Sequence, residues 1–173
     1  MLIVPPLMAE LSPYYQNYLN YLREPDLLQA LENQSRDSEL FYSSITEVQG
    51  SIRYAEGKWM LKEVFGHICD TERIMSYRAL RIARKDPTPI EGFDENLYIP
   101  NSDFAIRSIS NIFEEWRTIR KATESFFKNL REEAFQFTGI ANQTPVSVKS
   151  ILFFIIVHER HHQQVLIERY LPR

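Results

Sequence analysis

The chain has 173 residues and a mass of 20.5 kDa, a size that fits one domain built around one hydrophobic core. Its 20 Lys and Arg residues and 23 Asp and Glu residues give a formal net charge of −3, and no basic tract suggests a nucleic-acid partner. The longest apolar run, Ile151 to Val157, has seven residues, whereas a membrane-spanning helix needs roughly 20. We therefore expect neither a nucleic-acid nor a membrane partner.

Cysteine content and the amino-terminal sequence bear on the cellular compartment. The single cysteine, Cys69, cannot form a disulfide within the chain, and we expect it to be a small buried residue. The first residues lack the basic region and the long apolar stretch of a signal peptide. A cytoplasmic protein is the expectation.

The first half of the chain predicts a lead-in and two helices within one domain spanning residues 1–173. Residues 1–25 combine four prolines with several tyrosines, which indicates a short lead-in that packs through its aromatic rings and is at best partly helical. After it, the apolar spacing predicts helix 1 from Pro25 to near Gly50 and helix 2 from about Met60 to Arg84. The bundle proper is expected over residues 26–171.

The second half predicts two more helices. Helix 3 is an apolar stripe from Ile109 to Leu130, with Ser108 or the pair at 102–103 as candidate caps. Helix 4 begins after Pro145 or Ser147 and runs to Leu171. No segment shows sustained strand alternation, so the economical fold is all-α, a four-helix bundle.

All four histidines fall in two places: His67 stands alone, and the other three lie between positions 158 and 162. On a helix, His158 and His162 share one face about a turn apart, a spacing that can grip one metal ion. His67 is the remaining distant histidine. We predict that His67, His158 and His162 together bind a metal, although a lone histidine is more often a hydrogen-bonded core residue.

The positions of these histidines along their helices predict the topology. His67 lies early in helix 2, whereas the pair lies past the middle of helix 4. Parallel packing would offset the two levels by about 7 Å, and antiparallel packing removes this offset. Helices 2 and 3 then run parallel, in an up-down-down-up order. The long connection from Lys85 to Asn101 becomes the crossover between them.

Two features near the pair allow alternatives. His161 could replace His162 on spacing alone, but we expect it to lie toward a groove or solvent because His158 and His162 continue the inward stripe. The string His158 to His162 also matches H-E-x-x-H, in which the glutamate is the general base of a zinc protease. We interpret Glu159 as an exposed carboxylate, because only Glu168 follows as a candidate third ligand.

Charged residues on helix 2 also have two interpretations. Asp70 could orient a ligand imidazole or hydrogen-bond a metal-bound water, or it could form an ordinary salt bridge to Arg73 or Arg78. Further charges could hold an anionic substrate or partner, but a solvated face with intrahelical ion pairs is the favoured interpretation. This charged set comprises Glu72, Arg73, Arg78, Arg81 and Arg84.

Seven segments of the chain match a known family in order and spacing. The segments are KWMLKEVFGHICDTER at 58–73, YRALR at 77–81, TP at 88–89, GFDEN at 92–96, FEEWR at 113–117, HERHH at 158–162 and ERYL at 168–171. They resemble the DinB-like (DinB/YfiT) superfamily, and the resemblance covers about residues 25–171. It implies a four-helix bundle with one metal-ligating histidine on helix 2 and an H-x-x-x-H pair on helix 4, which correspond to His67, His158 and His162.

The resemblance also sets functional expectations. Family members are described as metal-dependent hydrolases or as S-transferases that use low-molecular-weight thiols, so a small-molecule substrate, with or without such a thiol, is expected. Zinc or nickel is the first expectation for the metal, and iron, copper or manganese is compatible. The alternative is a metal-binding or stress-response interaction module without turnover. Family dimers are common, so the chain could form a homodimer. Because imidazole must be neutral to coordinate, we expect metal binding to weaken below about pH 6.5.

Overall fold

A computed structural model describes residues 1–171 of the chain. It contains four long helices: α1 (Leu27–Ser43), α2 (Leu61–Ala83), α3 (Ile109–Lys128) and α4 (Val148–Val165). Side chains cap three of them, because Asp26, Ser108 and Ser147 each accept a hydrogen bond from a backbone N–H of the first turn. The predicted four-helix bundle is confirmed.

Two helix ends differ from the prediction. Helix α1 ends at Ser43 rather than near Gly50, and a separate short helix, Glu47–Gly50, follows it. The break occurs because Thr46 starts a new helix, with its hydroxyl accepting the backbone N–H of Gln49 in a capping box. At the other end of the chain, α4 continues as a π-helical turn, Leu166–Tyr170.

Side-chain contacts give the relative directions of the helices. The residue numbers in contact rise together between α2 and α3 and between α1 and α4, so each of these pairs is parallel. They run in opposite directions between α2 and α4 and between α1 and α3, so these pairs are antiparallel. The contacts are Glu72–Arg120 and Ser76–Thr123 for α2 and α3, and Gln34–Glu159 and Ser38–Gln163 for α1 and α4. They are Trp59–Tyr170 and His67–His158 for α2 and α4, and Glu32–Lys128 and Glu39–Arg117 for α1 and α3. The up-down-down-up topology is therefore correct.

A β-hairpin that the sequence pattern did not predict precedes α4. Strands β1 (Thr138–Ala141) and β2 (Thr144–Ser147) pair antiparallel. Asn142 and Gln143 form the turn with φ angles of 48° and 60°, as expected for a two-residue hairpin connection. The crossover after α2 contains a short helix, Glu95–Tyr98, and a 3-10 turn, Ile99–Asn101.

The crossover is joined to the hairpin through backbone hydrogen bonds. The N–H of Ile90 donates to the carbonyl of Ile140 at 2.9 Å, and the carbonyl of Ile90 accepts from Asn142 at 2.8 Å. At Ile90 the crossover therefore makes a short strand-like contact with the edge of the hairpin, and it is not a free loop.

The lead-in packs against α4 through its tyrosine rings. It consists of a 3-10 turn, Met8–Glu10, a short helix, Pro13–Gln16, and a second 3-10 turn, Leu19–Tyr21. The ring of Tyr15 stacks on Phe154 with centroids 4.4 Å apart. None of the helices that residues 1–171 form is both long and apolar enough to cross a membrane.

Candidate metal centre

Three histidines converge where α2 packs antiparallel on α4. The Nε2 atom of His158 lies 3.2 Å from Nε2 of His67 and 3.1 Å from Nε2 of His162. One ligand atom of each ring lies within 4.8 Å of those of the other two. The structure thus brings together the three residues predicted from spacing.

Burial keeps these imidazoles neutral. Only 7% of His67 and 5% of His158 is exposed, and His162 is partly buried. Loss of solvent lowers the pKa of His67 to about 4. Burial, followed by the neighbouring imidazoles, lowers the pKa of His158 and of His162 well below the ordinary value. At neutral pH all three rings are therefore in the form that coordinates a metal.

The donor set fits a divalent metal. Imidazole nitrogens bind zinc at about 2.0–2.1 Å, which places two nitrogens of a tetrahedral site about 3.3 Å apart. The observed separations of 3.2 and 3.1 Å are close to this value. Neutral nitrogen donors suit zinc, nickel, iron and copper, and three protein ligands leave coordination positions for water or substrate.

The histidines form part of the wall of a cavity of about 430 Å³. The wall combines residues from the lead-in, α2, the crossover, the hairpin and α4. Besides the histidines, it includes Ser12, Tyr14, Tyr15, Tyr18, Trp59, Thr71, Met75, Arg78, Phe93, Glu95, Ala141, Asn142, Thr144, Val146 and Phe154. The site is thus open to a small molecule.

Two other predicted residues lie outside the cluster of three rings. His161 is half-buried at the cavity edge, where its Nδ1 lies 2.9 Å from the hydroxyl of Tyr21. Asp70 does not line the cavity, and its nearest cation is Arg73, at 3.8 Å. The structure therefore favours the salt-bridge interpretation of Asp70 over a role in orienting a ligand imidazole.

The prediction that Glu159 is an exposed carboxylate is wrong. Glu159 is 1% exposed and accepts hydrogen bonds from Gln34, Trp116 and Arg120. It points to the side of α4 away from the cavity, because adjacent residues of a helix diverge by about 100°. A glutamate held there cannot serve as the general base of a zinc protease at the histidine cluster.

The solvated-face interpretation of the charged set on α2 is also wrong at two positions. Glu72 is 3% exposed and is bonded to Arg120. Arg78 is 5% exposed and lines the cavity. By contrast, Arg73 forms an intrahelical ion pair with Asp70, as predicted, and also pairs with Glu115 of α3. Arg81 pairs with Asp86, beyond the end of α2.

Sequence reasoning missed most of the cavity wall. Glu95 reaches the cavity from the crossover, and its charge acts on His67. The hairpin residues could not be predicted, because two four-residue strands carry little periodic signal. The turn residue Asn142, a type favoured at positive φ, was the available clue.

Comparisons with known proteins identify the family of the chain and a protein of similar fold. The profile of the DinB superfamily matches residues 26–166. The chain belongs to the DinB superfamily. It is also similar in structure to YfiT from Bacillus subtilis, described as a probable metal-dependent hydrolase with an unusual four-helix bundle topology. That likeness has a TM-score of 0.70 at 15% sequence identity and covers 92% of this chain and 87% of YfiT. No match was found among curated protein sequences.

Proposed function

We propose that this DinB-superfamily chain is a metal-dependent enzyme that acts on a small molecule bound in the cavity. His67, His158 and His162 would hold the metal, with zinc or nickel as the first candidates. The observation that carries the proposal is that three neutral imidazole nitrogens meet in the wall of a cavity of about 430 Å³. A purely structural site would be closed by a fourth protein ligand.

Hydrolysis is the reaction that the cavity supports best. When bound, a divalent metal lowers the pKa of a water or thiol ligand and so supplies a nucleophile near neutral pH. Glu95 lines the same cavity as the three histidines and could accept the proton that this nucleophile loses. Trp59 and Phe154 line the cavity beside the histidines and give this part of the wall an apolar character. The description of YfiT as a probable hydrolase is consistent with this proposal.

Thiol transfer is the second candidate. Among residues 1–171, no carboxylate is hydrogen-bonded to any of the three histidines, so Glu95 would have to act across the cavity. A thiol has an ordinary pKa near 8.5 and therefore needs a weaker base than water does. Cys69 is fully buried and does not line the cavity, which leaves an external thiol as the sulfur nucleophile.

Metal stoichiometry tests the binding part of the proposal. Protein without a histidine tag would be stripped with chelator, reloaded with zinc or nickel by equilibrium dialysis and measured by elemental analysis. We expect one metal per chain in the wild type and loss of binding in His67→Ala, His158→Ala and His162→Ala. The matched control is His161→Ala, which should retain the metal. Loss in His161→Ala with retention in His162→Ala would show that His161, and not His162, binds the metal.

Turnover tests the enzymatic part. Metal-loaded protein would be assayed on activated esters and on electrophiles, each with and without added thiol. Activity in water alone indicates a hydrolase, and activity only with thiol indicates a transferase. Glu95→Gln should lower turnover, whereas Glu91→Gln, at an exposed crossover position, should not. Stoichiometric metal without turnover under either condition would contradict the proposal and support the non-catalytic module instead.

A further inference from the structure

Arg78 lines the same cavity as the histidines, further along α2. His67, Thr71 and Arg78 follow one another on the same face of α2, at spacings of four and seven residues. All three line the cavity. Arg78 is 5% exposed, so its charge faces a largely enclosed space rather than bulk water.

The hydrogen-bonding capacity of Arg78 is largely unused. One terminal nitrogen donates to the carbonyl of Glu91 at 2.9 Å, and the other has a weak 3.8 Å contact with the sulfur of Met75. The Nε has no partner within residues 1–171, and no carboxylate of that part of the chain lies within ion-pair distance. Arg120, the other deeply buried arginine, is paired with two carboxylates.

Two further hydroxyls at this part of the cavity lack a strong partner. Thr71 is 3% exposed, and its Oγ1 has no hydrogen-bond partner among the described residues. The hydroxyl of Tyr15 has only a 3.8 Å contact with the Met75 sulfur. Burial raises the pKa of Tyr15 to about 12, so this hydroxyl stays protonated and can donate.

An unpaired buried cation is unfavourable unless something neutralises it. A role in holding the crossover explains one bond to a carbonyl, which a neutral donor could make equally well. The guanidinium also lies over the ring of Phe93, with Cζ 5.8 Å from the centroid, but a cation–π contact brings no negative charge and accepts none of the unused N–H groups. Neither contact explains a positive charge beside two hydroxyls that lack a strong partner. A bound anion would satisfy all three groups.

We propose that Arg78, Thr71 and Tyr15 form a subsite for a carboxylate of the substrate, whose reacting group lies at the histidines. This inference rests on the proposed function. One guanidinium matches one carboxylate in charge and in planar, two-bond geometry. A phosphate dianion would require more cationic groups than the single arginine at this end of the cavity.

The helix sets the separation between the two ends of the substrate site. Eleven residues at 1.5 Å per residue separate the Cα atoms of His67 and Arg78 by about 16 Å. Both side chains tilt toward the helix N-terminus, so the greater length of arginine shortens this separation by only a few ångströms. The substrate class is therefore a small, elongated carboxylic acid whose reactive group is several bonds from the acid.

Binding of matched ligands tests the subsite directly. Protein loaded with cobalt would be titrated with mercaptohexanoic acid and with mercaptohexanol, and the change in metal absorption would give each affinity. We expect the wild type to bind the acid at least about tenfold more tightly than the alcohol, the ratio that one charge-assisted hydrogen bond supplies. Arg78→Gln should abolish this preference without changing the affinity for the alcohol. Arg84→Gln, at the exposed C-cap of the same helix, should keep it.

A second arm does not depend on the metal. Hexanoate added to the apoprotein should shift the NMR signal of the Arg78 Nε–H, so a failure of metal binding would not hide the subsite. If Arg78→Gln does not fold, Thr71→Val should weaken binding of the acid several-fold and leave that of the alcohol unchanged. Equal affinities of acid and alcohol in the wild type, an unchanged preference in Arg78→Gln, or tighter binding of an alkyl phosphate than of the carboxylate would overturn the proposal.

Discussion

Arg120 of α3 donates hydrogen bonds to both carboxylate oxygens of Glu72 on α2, at 2.9 and 2.7 Å. The same guanidinium is bonded to Glu159 of α4, whose other oxygen accepts from the indole of Trp116 at 3.0 Å. All three charged residues are at most 3% exposed. One cation thus ties three helices together in the middle of the bundle.

Arg120→Met should destabilise the protein by about 3–5 kcal/mol, because it leaves two carboxylates buried without a cation. Chemical denaturation with urea would measure this change. Arg131→Met is the control: it removes an exposed ion pair with Glu133 and should change the free energy of unfolding by less than about 1 kcal/mol. A loss in Arg120→Met as small as that of the control would show that the network contributes little to stability.

Stability of the metal-free protein should fall as the pH drops below 6.5. The pKa of His67 is about 4 in the folded protein and about 6.5 when unfolded, so between these values the unfolded state binds more protons. This contribution is complete above pH 6.5 and decreases toward pH 4, where its loss amounts to about 3 kcal/mol. Urea denaturation across this range should show a shallower decline in His67→Asn. Parallel curves for the two proteins would mean that His67 titrates normally when folded.

Metal binding should persist at lower pH than the sequence suggested. The ordinary pKa of histidine predicts weakening below about pH 6.5, but burial lowers the pKa of all three rings. We therefore expect little loss of metal at pH 5 and release only as the pH approaches about 4, where His67 becomes protonated. Equilibrium dialysis with elemental analysis at successive pH values would measure this. Half-loss near pH 6.5 would contradict the prediction.

Gly66→Ala should destabilise the fold next to the metal ligand His67. A Cβ atom at position 66 would lie 2.2 Å from the ring of Phe104, which is itself buried. Such overpacking costs about 1–3 kcal/mol, and thermal or urea denaturation would detect it. The double variant with Phe104→Ala should lose less than the sum of the two single variants. Strict additivity would show that the close contact is not the cause.

The sequence predicted the parts of this structure that depend on regular spacing. Helices α2, α3 and α4, and the convergence of His67 with His158 and His162, follow from apolar and histidine periodicity, whereas metal binding itself stays a prediction. Burial of Glu72, Arg78 and Glu159 could not be predicted, because charged residues on helices are ordinarily exposed. The partner that makes Glu72 an exception, Arg120, lies 48 residues away in the chain.

The crossover contributes to the cavity through groups of two different kinds. Ile90 is fixed by main-chain hydrogen bonds to the hairpin, which any residue except proline could form in the same way. Phe93 and Glu95, a few positions later, line the cavity. Exchange of residues 91–94, which keeps the proposed base Glu95, would therefore change the chemistry of this wall while its anchoring to the hairpin stays intact. This makes the segment the natural place to redesign substrate preference.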